Sequence, residues 1–519
     1  MRWPSRSESS PVGTEGRLAA AGAAPFAGWN GGRAAVLAGA GACAVALGYL
    51  VAIAPGLLHF EPSTLDVAVL LAVLGFGAVV VWRPALALVV LIIVAYLNLS
   101  DILVRWHGAP SVLQALTVPL LLAAWFVQRR RGFGGPLPGA LTLCLAAYLA
   151  VVWLSMAWAR DTVLAEQRAL AITKAFVLYA LVVLLAGSRA HVRQGAWTLV
   201  AAAVVVGALG VFQVIAGSYD QTFAGLARVD YAQIYGRVFE PRIAGPVGDP
   251  NFFAQMLIPA VPIGLLLANS ASGVRERVAA FACVGVVTAA VVMTYSRGGA
   301  LALGVVLALW LLGQGASGRR LAVGTAAIAL LVVLLPSDFA RRLTTFRQFL
   351  PGNGEVLRLD SSFEQRRVLV TAAWHMFLDR PLTGVGAGNY AVHYRPYTEE
   401  TGSVVLEYED FDQPHYPHNL YLEIGAETGL LGLIVFAGVL VTCFVYLQRA
   451  RVAFSGAGDW SSASLATGVQ LALIGYLVSS LFLHGDFPRS LWLLFGFCGA
   501  LGRLATTRPE TRVTASEAT

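Results

Sequence analysis

The run AWTLVAAAVVVGALGVFQVIA at positions 196–216 contains no charged residue, and Arg189 and Arg193 stand just before it. About 20 residues of this kind, wound as a helix at about 1.5 Å each, cross the ~30 Å hydrocarbon core of a bilayer. The run is continuous rather than alternating, which marks a membrane helix and excludes a strand of an outer-membrane barrel. Comparable runs lie on both sides of it, at 34–55, 65–82, 84–99, 111–127, 138–157 and 169–187 before, and at 250–269, 278–295, 299–314, 320–336, 430–447, 464–482 and 489–505 after. The chain is 57% hydrophobic and 13% charged, with a mean hydropathy of +0.70. A soluble protein carries about 25% charged residues. The expected fold is all-α, a polytopic membrane helical bundle of about 12–14 transmembrane helices.

The loops orient the bundle. Every second one is basic: Arg83; Arg129 to Arg131; Arg189 and Arg193; Arg275 and Arg277; Arg319 and Arg320; Arg449 and Arg451; Arg503 and Arg508. All fall on one side if the N-terminus is cytoplasmic, as the positive-inside tendency requires. Arg105, Arg160 and Arg168 fall on the other. The expected organisation is a disordered cytoplasmic tail over 1–33, a bundle over 34–336, a large extracytoplasmic loop over 337–429, further spans over 430–505 and a cytoplasmic tail over 506–519. That loop holds one amphipathic stretch, Ser361–Arg380, with Phe363, Val370, Trp374 and Phe377 on one face and Pro381 as its stop. It reads as a helix on the outer membrane surface or capping the bundle.

The net charge of +7 does not point to nucleic acid, because the arginines are spread through short loops and Lys174 is the only lysine. The five cysteines all lie in apolar runs, with no spacing that suggests a disulfide framework or a zinc site.

Chemistry concentrates at the expected outer side. His418 lies just before a helix starting near Leu420, with Asn419 as a plausible N-cap. A helix N-terminus disfavours imidazolium, leaving a neutral ring suited to accept a proton from a sugar hydroxyl. The bland alternative is a loop histidine bonded to backbone. His415 is less constrained, and Asp412, His415 and His418 are too loosely spaced for a metal site. Arg242 precedes one span and Arg297 sits in the tight turn Tyr295-Ser296-Arg297-Gly298-Gly299. A membrane-edge arginine is costly unless paired or functional, and its planar fork fits phosphate oxygens. The alternative is snorkelling to headgroups. Arg237, Arg366 and Arg367 are possible supports, the last two equally readable as a solvated helix face. Lys174, inside a span near its outer end, is a candidate because intramembrane lysines are rare. Asp249-Pro250 reads as an N-cap with proline at the first helical position. The stretch Gly384 to Gly388 reads as a tight turn, since no strand precedes it and no lysine follows.

Four strings in order carry a family resemblance. They are Arg242-x-x-Gly245 leading to Asp249-Pro250-Asn251; Tyr295 to Gly299; Arg380-Pro381-Leu382-Thr383 through Gly384, Gly386 and Gly388 to Asn389; and His418-Asn419-x-Tyr421-Leu422-Glu423 before Glu427-x-Gly429-Leu430-Leu431-Gly432. Over roughly 170–450 the chain resembles the O-antigen ligase and O-antigen polymerase superfamily. The resemblance implies a GT-C-like helical fold, a glycan donor on undecaprenyl diphosphate, a glycan or glycolipid acceptor, and metal-independent transfer without a cofactor. It implies that Arg242 and Arg297 hold the diphosphate and that His418 activates the acceptor hydroxyl. The expected place is the cytoplasmic (inner) membrane, with membrane lipid around the chain and the site facing the periplasm. A transporter or flippase of the same lipid-linked glycan, or a structural part of an assembly complex, remains the alternative. The former calls for broken helices or internal repeats.

Overall fold

The computed structural model describes residues 83–107, 137–231, 233–234, 237–238, 241–314, 361–399 and 415–506. The expected spans at 34–55, 65–82, 111–127 and 320–336, both tails and Asp412 lie outside the described residues. Each remaining apolar run is a helix. In order these are α1 (Pro84–Tyr96) and α2 (Leu99–His107), α3 (Gly139–Leu154), α4 (Thr162–Leu185), α5 (Arg189–Ala216), α6 (Pro250–Leu257) and α7 (Ala260–Asn269). Then come α8 (Val274–Met293), α9 (Arg297–Gly313), α10 (Ser361–Asp379), α11 (Tyr390–Glu399), α12 (Leu420–Gly456), α13 (Trp460–Ser479) and α14 (Arg489–Thr506). Among the described residues, seven helices are long and apolar enough to cross a membrane, and the pair α1–α2, bent by 52°, would make an eighth. The molecule is an all-α polytopic membrane bundle. Among the described residues the strands are four two-residue segments in the loop after α5: β1 (Val229–Asp230) pairs antiparallel with β4 (Arg242–Ile243), enclosing β2 (Gln233–Ile234) paired with β3 (Arg237–Val238).

Capping decides where the helices begin. Asp161 accepts from the amides of Val163 and Leu164, so α4 starts well before its apolar stretch. Lys174 therefore stands near the middle of α4 on its exposed side, not near its outer end as expected. Pro259 interrupts Pro250–Asn269 because it has no amide to donate.

The core is centred on α14, which packs against α4, α12, α1, α5 and α13. Its glycines permit the approach. A Cβ at Gly496 would stand 2.7 Å from Val182, and one at Gly502 would stand 2.6 Å from the Tyr446 ring. Close backbone contact of this kind is how membrane helices gain packing energy where lipid offers no hydrophobic drive. Trp492, Tyr148, Tyr179 and Tyr476 fill the space between, all fully buried. Around this core Leu143, Ile215, Leu312 and Val441 point outward, the apolar exposure that a lipid-facing surface requires.

Helix α10 ends at Asp379 ahead of Pro381, and besides the apolar face read from the sequence it has a second, buried side. Val368, Leu369, Ala372, Ala373 and Met376 pack inward against α11 and α12, while Trp374 and Leu378 are exposed. The helix is apolar on two sides, and alanines and a methionine form the side that fits a close-packed neighbour.

The helix ends form two groups. At one end meet the last turn of α3, the starts of α4, α6, α9, α12 and α14, the last turns of α8 and α13, and the helices α10 and α11. All the candidate residues except Lys174 belong to this end.

Candidate functional site

His418 sits one residue before the N-cap of α12, at φ 48°, in the left-handed region that a side chain with a Cβ rarely adopts. Asn419 caps α12 by accepting from the Leu422 amide at 3.0 Å, and its own amide donates to the Leu481 carbonyl at 3.2 Å. The strained position holds the His418 ring inward, with Nδ1 enclosed and without a hydrogen-bond partner among the described residues. Burial above all, then the charge of Arg366 and the neighbouring His484 and His415, push the His418 imidazole down to about 3. Burial, rather than the helix N-terminus, is thus the main influence that disfavours the imidazolium.

The partner that the sequence did not reveal is His484, in the short segment between α13 and α14. Its ring stands edge-to-face with His418 at 5.3 Å between centroids. It also lies flat on Tyr416 at 4.4 Å and edge-on to Phe252 at 5.1 Å. Its Nδ1 too is enclosed and without a partner among the described residues. Burial, Arg168 and Arg366 lower this imidazole to about 3 as well.

A buried charge cluster fixes the segment that carries His484. Arg168 of α4 meets Glu423 at 2.7 Å, Glu427 at 3.7 Å and Asp486 at 3.0 Å, with every side chain almost wholly buried. Tyr148 donates to the other oxygen of Asp486, and the Gly485 amide donates to Glu423 at 2.5 Å. On the near side the Ser480 carbonyl accepts from the Leu420 amide at 3.0 Å. Burial raises the Asp486 carboxyl against the pull of Arg168. In the sequence Arg168 stood out as an arginine on the unexpected side, and Glu423 and Glu427 as parts of the motif string after His418, whereas Tyr148 and Asp486 carried no signal.

Glu427 has a second task. Its carboxylate accepts from the amides of Gly388 at 2.8 Å and Tyr390 at 3.3 Å, while its carbonyl accepts from Gly386 at 2.9 Å. The glycine-rich turn therefore wraps a carboxylate of the chain itself. Asn389 completes the seat by exchanging two hydrogen bonds with the Asp161 backbone, at 2.7 and 3.0 Å.

Arg242 is tied to the turn between α8 and α9 that carries Arg297. Arg242, on β4, donates from Nε to the Thr294 carbonyl at 3.0 Å and from its terminal nitrogen to the Asn251 side chain at 3.4 Å. Thr294 belongs to the same turn as Arg297, which opens α9 behind its N-cap Ser296. Tyr295, inside that turn, has φ 52°. Asn251 lies in the first turn of α6, whose N-cap is Asp249 and whose next residue is the Phe252 that touches His484. A Cβ at Gly298 would stand 3.0 Å from Phe482, so the segment carrying His484 also seats against the arginine turn. One continuous set of contacts thus runs from Arg242 through Asn251, Phe252 and His484 to His418.

The remaining candidates separate. Arg366 is half-buried on α10 and acts electrostatically on both imidazoles, whereas Arg367 is exposed. Arg237 falls on β3 opposite Ile234, and its side chain lies outside the described residues. Lys174 is away from this end. His415 packs edge-on to Tyr394 at 5.3 Å.

A family model described as O-antigen ligase matches residues 279–437, a stretch that holds Arg297, α10, α11, His418 and the first turns of α12. No curated protein matches the chain. Arg242, Arg168, His484 and Asp486 lie outside the matched stretch but converge on it in space. The match over residues 279–437, within a membrane bundle, supports the O-antigen ligase and polymerase superfamily and, in general terms, a membrane enzyme that joins glycans.

Proposed function

We propose that the chain transfers a glycan from undecaprenyl diphosphate to a hydroxyl of a second glycan or glycolipid, at the outer face of the cytoplasmic membrane. The observation that carries this reading is the contact path from Arg242, held in the Arg297 turn, to the enclosed imidazole of His418.

Arg242 and Arg297 bind the diphosphate and stabilise the charge that grows on it as the sugar departs. His418 takes the proton of the acceptor hydroxyl, the freed oxygen attacks the anomeric carbon, and the carbon–phosphate oxygen bond breaks. One displacement of this kind inverts the anomeric centre and calls for no metal or cofactor. An imidazole lowered to about 3 is a weak base at neutral pH. The incoming diphosphate offsets the positive field of Arg366 and raises it, so the base gains strength once the donor is bound. Arg366 supports the reaction by adding its charge to the attraction on the diphosphate, and Asn419 supports it by fixing the turn.

The test is glycan transfer by purified protein, from a carrier-linked donor to candidate acceptors, with chelator present. Arg297→Lys should remain impaired, because an ammonium lacks the fork that grips two phosphate oxygens. Full transfer by Arg242→Ala or Arg297→Ala would refute the clamp, and transfer that stops with chelator would refute the metal-free step.

A further inference from the structure

We propose that His484 is a further diphosphate-binding residue, donating a hydrogen bond from its imidazole to the leaving group between the arginine pair and His418. The inference rests on the proposed glycan transfer and adds a residue that neither the sequence motifs nor the matched domain contains.

The position argues for it. The segment carrying His484 is seated on the arginine turn through Phe482 against Gly298, and on the start of α12 through Ser480 and Leu481. Its far side is tied by Gly485 to Glu423 and by Asp486 to Arg168 and Tyr148. A segment held on both flanks fixes the residue in its middle. That residue, His484, touches Phe252 on the Arg242 side and His418 on the other.

The chemistry agrees. A neutral imidazole has one N–H donor and one acceptor nitrogen. An enclosed polar nitrogen without a partner costs about 1–3 kcal/mol, which a purely structural ring avoids by finding a carbonyl or by being phenylalanine. Burial above all, with the nearby Arg168 and Arg366, keeps the ring neutral, and Arg366, which also acts on His418, adds positive charge beside both rings.

The experiment is binding of farnesyl diphosphate, inorganic pyrophosphate and farnesol to the purified full-length protein in detergent. The proteins compared are the unaltered chain, His484→Gln, His484→Phe, His484→Leu, Arg242→Ala and Arg297→Ala. Loss of a hydrogen bond to a charged group should weaken farnesyl diphosphate binding about 10- to 100-fold in His484→Phe and His484→Leu. Pyrophosphate should weaken in parallel and farnesol should not change. His484→Gln, which keeps an N–H donor, should recover most of the affinity with an unchanged melting temperature.

Equal loss in the Gln, Phe and Leu proteins, or loss that follows a lowered melting temperature, would make His484 a structural ring and overturn the proposal. So would undiminished binding by His484→Phe. If Arg242→Ala and Arg297→Ala lose the diphosphate while His484→Phe keeps it, only the role of His484 falls. If the arginine variants bind as the unaltered chain does, the proposed donor site itself falls.

Discussion

The two ends of the bundle handle charge in opposite ways. At the end away from the site, Arg189 and Arg193 form partly exposed ties between helices. Arg189 meets Asp459 at 3.0 Å, and Arg193 bonds Ser270 at 3.1 Å, Ser461 at 2.7 Å and Glu276. At the site end a single arginine lies buried among three carboxylates, two imidazoles keep nitrogens without partners among the described residues, and two motif turns hold strained backbone at Tyr295 and His418. Both ends hold enclosed nitrogens without partners among the described residues, on His191 and Arg503 at the first and on His418 and His484 at the second. At the second they stand beside strained backbone in the motif turns, the setting in which a ligand completes such groups.

The largest expected effect separates the ends by function. His418→Ala should lower glycan transfer about 10²–10⁴-fold while donor binding and membrane insertion stay near normal. His415→Ala, which loses only its packing on Tyr394, should do much less. Loss of donor binding in proportion to rate would instead make His418 a binding residue.

Stability gives the next contrast. Arg168→Leu removes the one cation among Glu423, Glu427 and Asp486 and should cost about 3–5 kcal/mol, read as a large drop in melting temperature or loss of folded protein. A mild effect would mean that water reaches the cluster.

Acid should act on the site end first. The folded state lowers His418 and His484 from 6.5 to about 3, so the unfolded chain binds more protons between those values. Stability should therefore hold above pH 6.5 and fall as pH drops toward 3, by at most about 1.4 kcal/mol per pH unit for each ring. Glutamine at both positions should flatten that slope in thermal melts, and an unchanged slope would place the acid-sensitive groups elsewhere. Smallest of all, Arg189→Ala should cost about 0.2–1 kcal/mol, the usual worth of an exposed pair. A cost as large as that of Arg168→Leu would erase the distinction between the ends.

Much of this molecule was readable in one dimension. Continuous apolar runs dictate helices, and caps such as Asp249 and Asn419 declare themselves locally, because a cap bonds an amide two or three residues away. The arginine turn and His418 were visible because polar residues between long apolar runs are conspicuous. His484 was not, since a lone histidine in a short connection carries no sign of Phe252, Tyr416 or His418 far away in sequence. Glu423 and Glu427 stand in the motif string after His418, but nothing local in it points to Arg168 or to the glycine-rich turn, which reach them from distant parts of the chain. On α10, size and hydrophobicity make Trp374 and Phe377 conspicuous, whereas the packing against α11 and α12 that buries the smaller Ala372 and Ala373 carries no local sign.

The break in α12 sets a depth gauge for the reaction. Leu420–Gly456 has 37 residues, about 55 Å if unbroken, far more than the ~30 Å of hydrocarbon. Gly429, at φ 65°, interrupts it, and there the amides of Leu430 and Leu431 pair with the carbonyls of Pro381 and Leu382, at 2.7 and 3.4 Å. A Cβ at Gly429 would stand 2.4 Å from the Leu382 backbone, so no other residue fits. The stretch after the break is anchored by lipid and the turn before it stands a counted number of residues above, like a float on a fixed line. Transfer would then occur at a set height over the membrane, and a substrate whose head group sits higher or lower would be out of reach whatever its sugars.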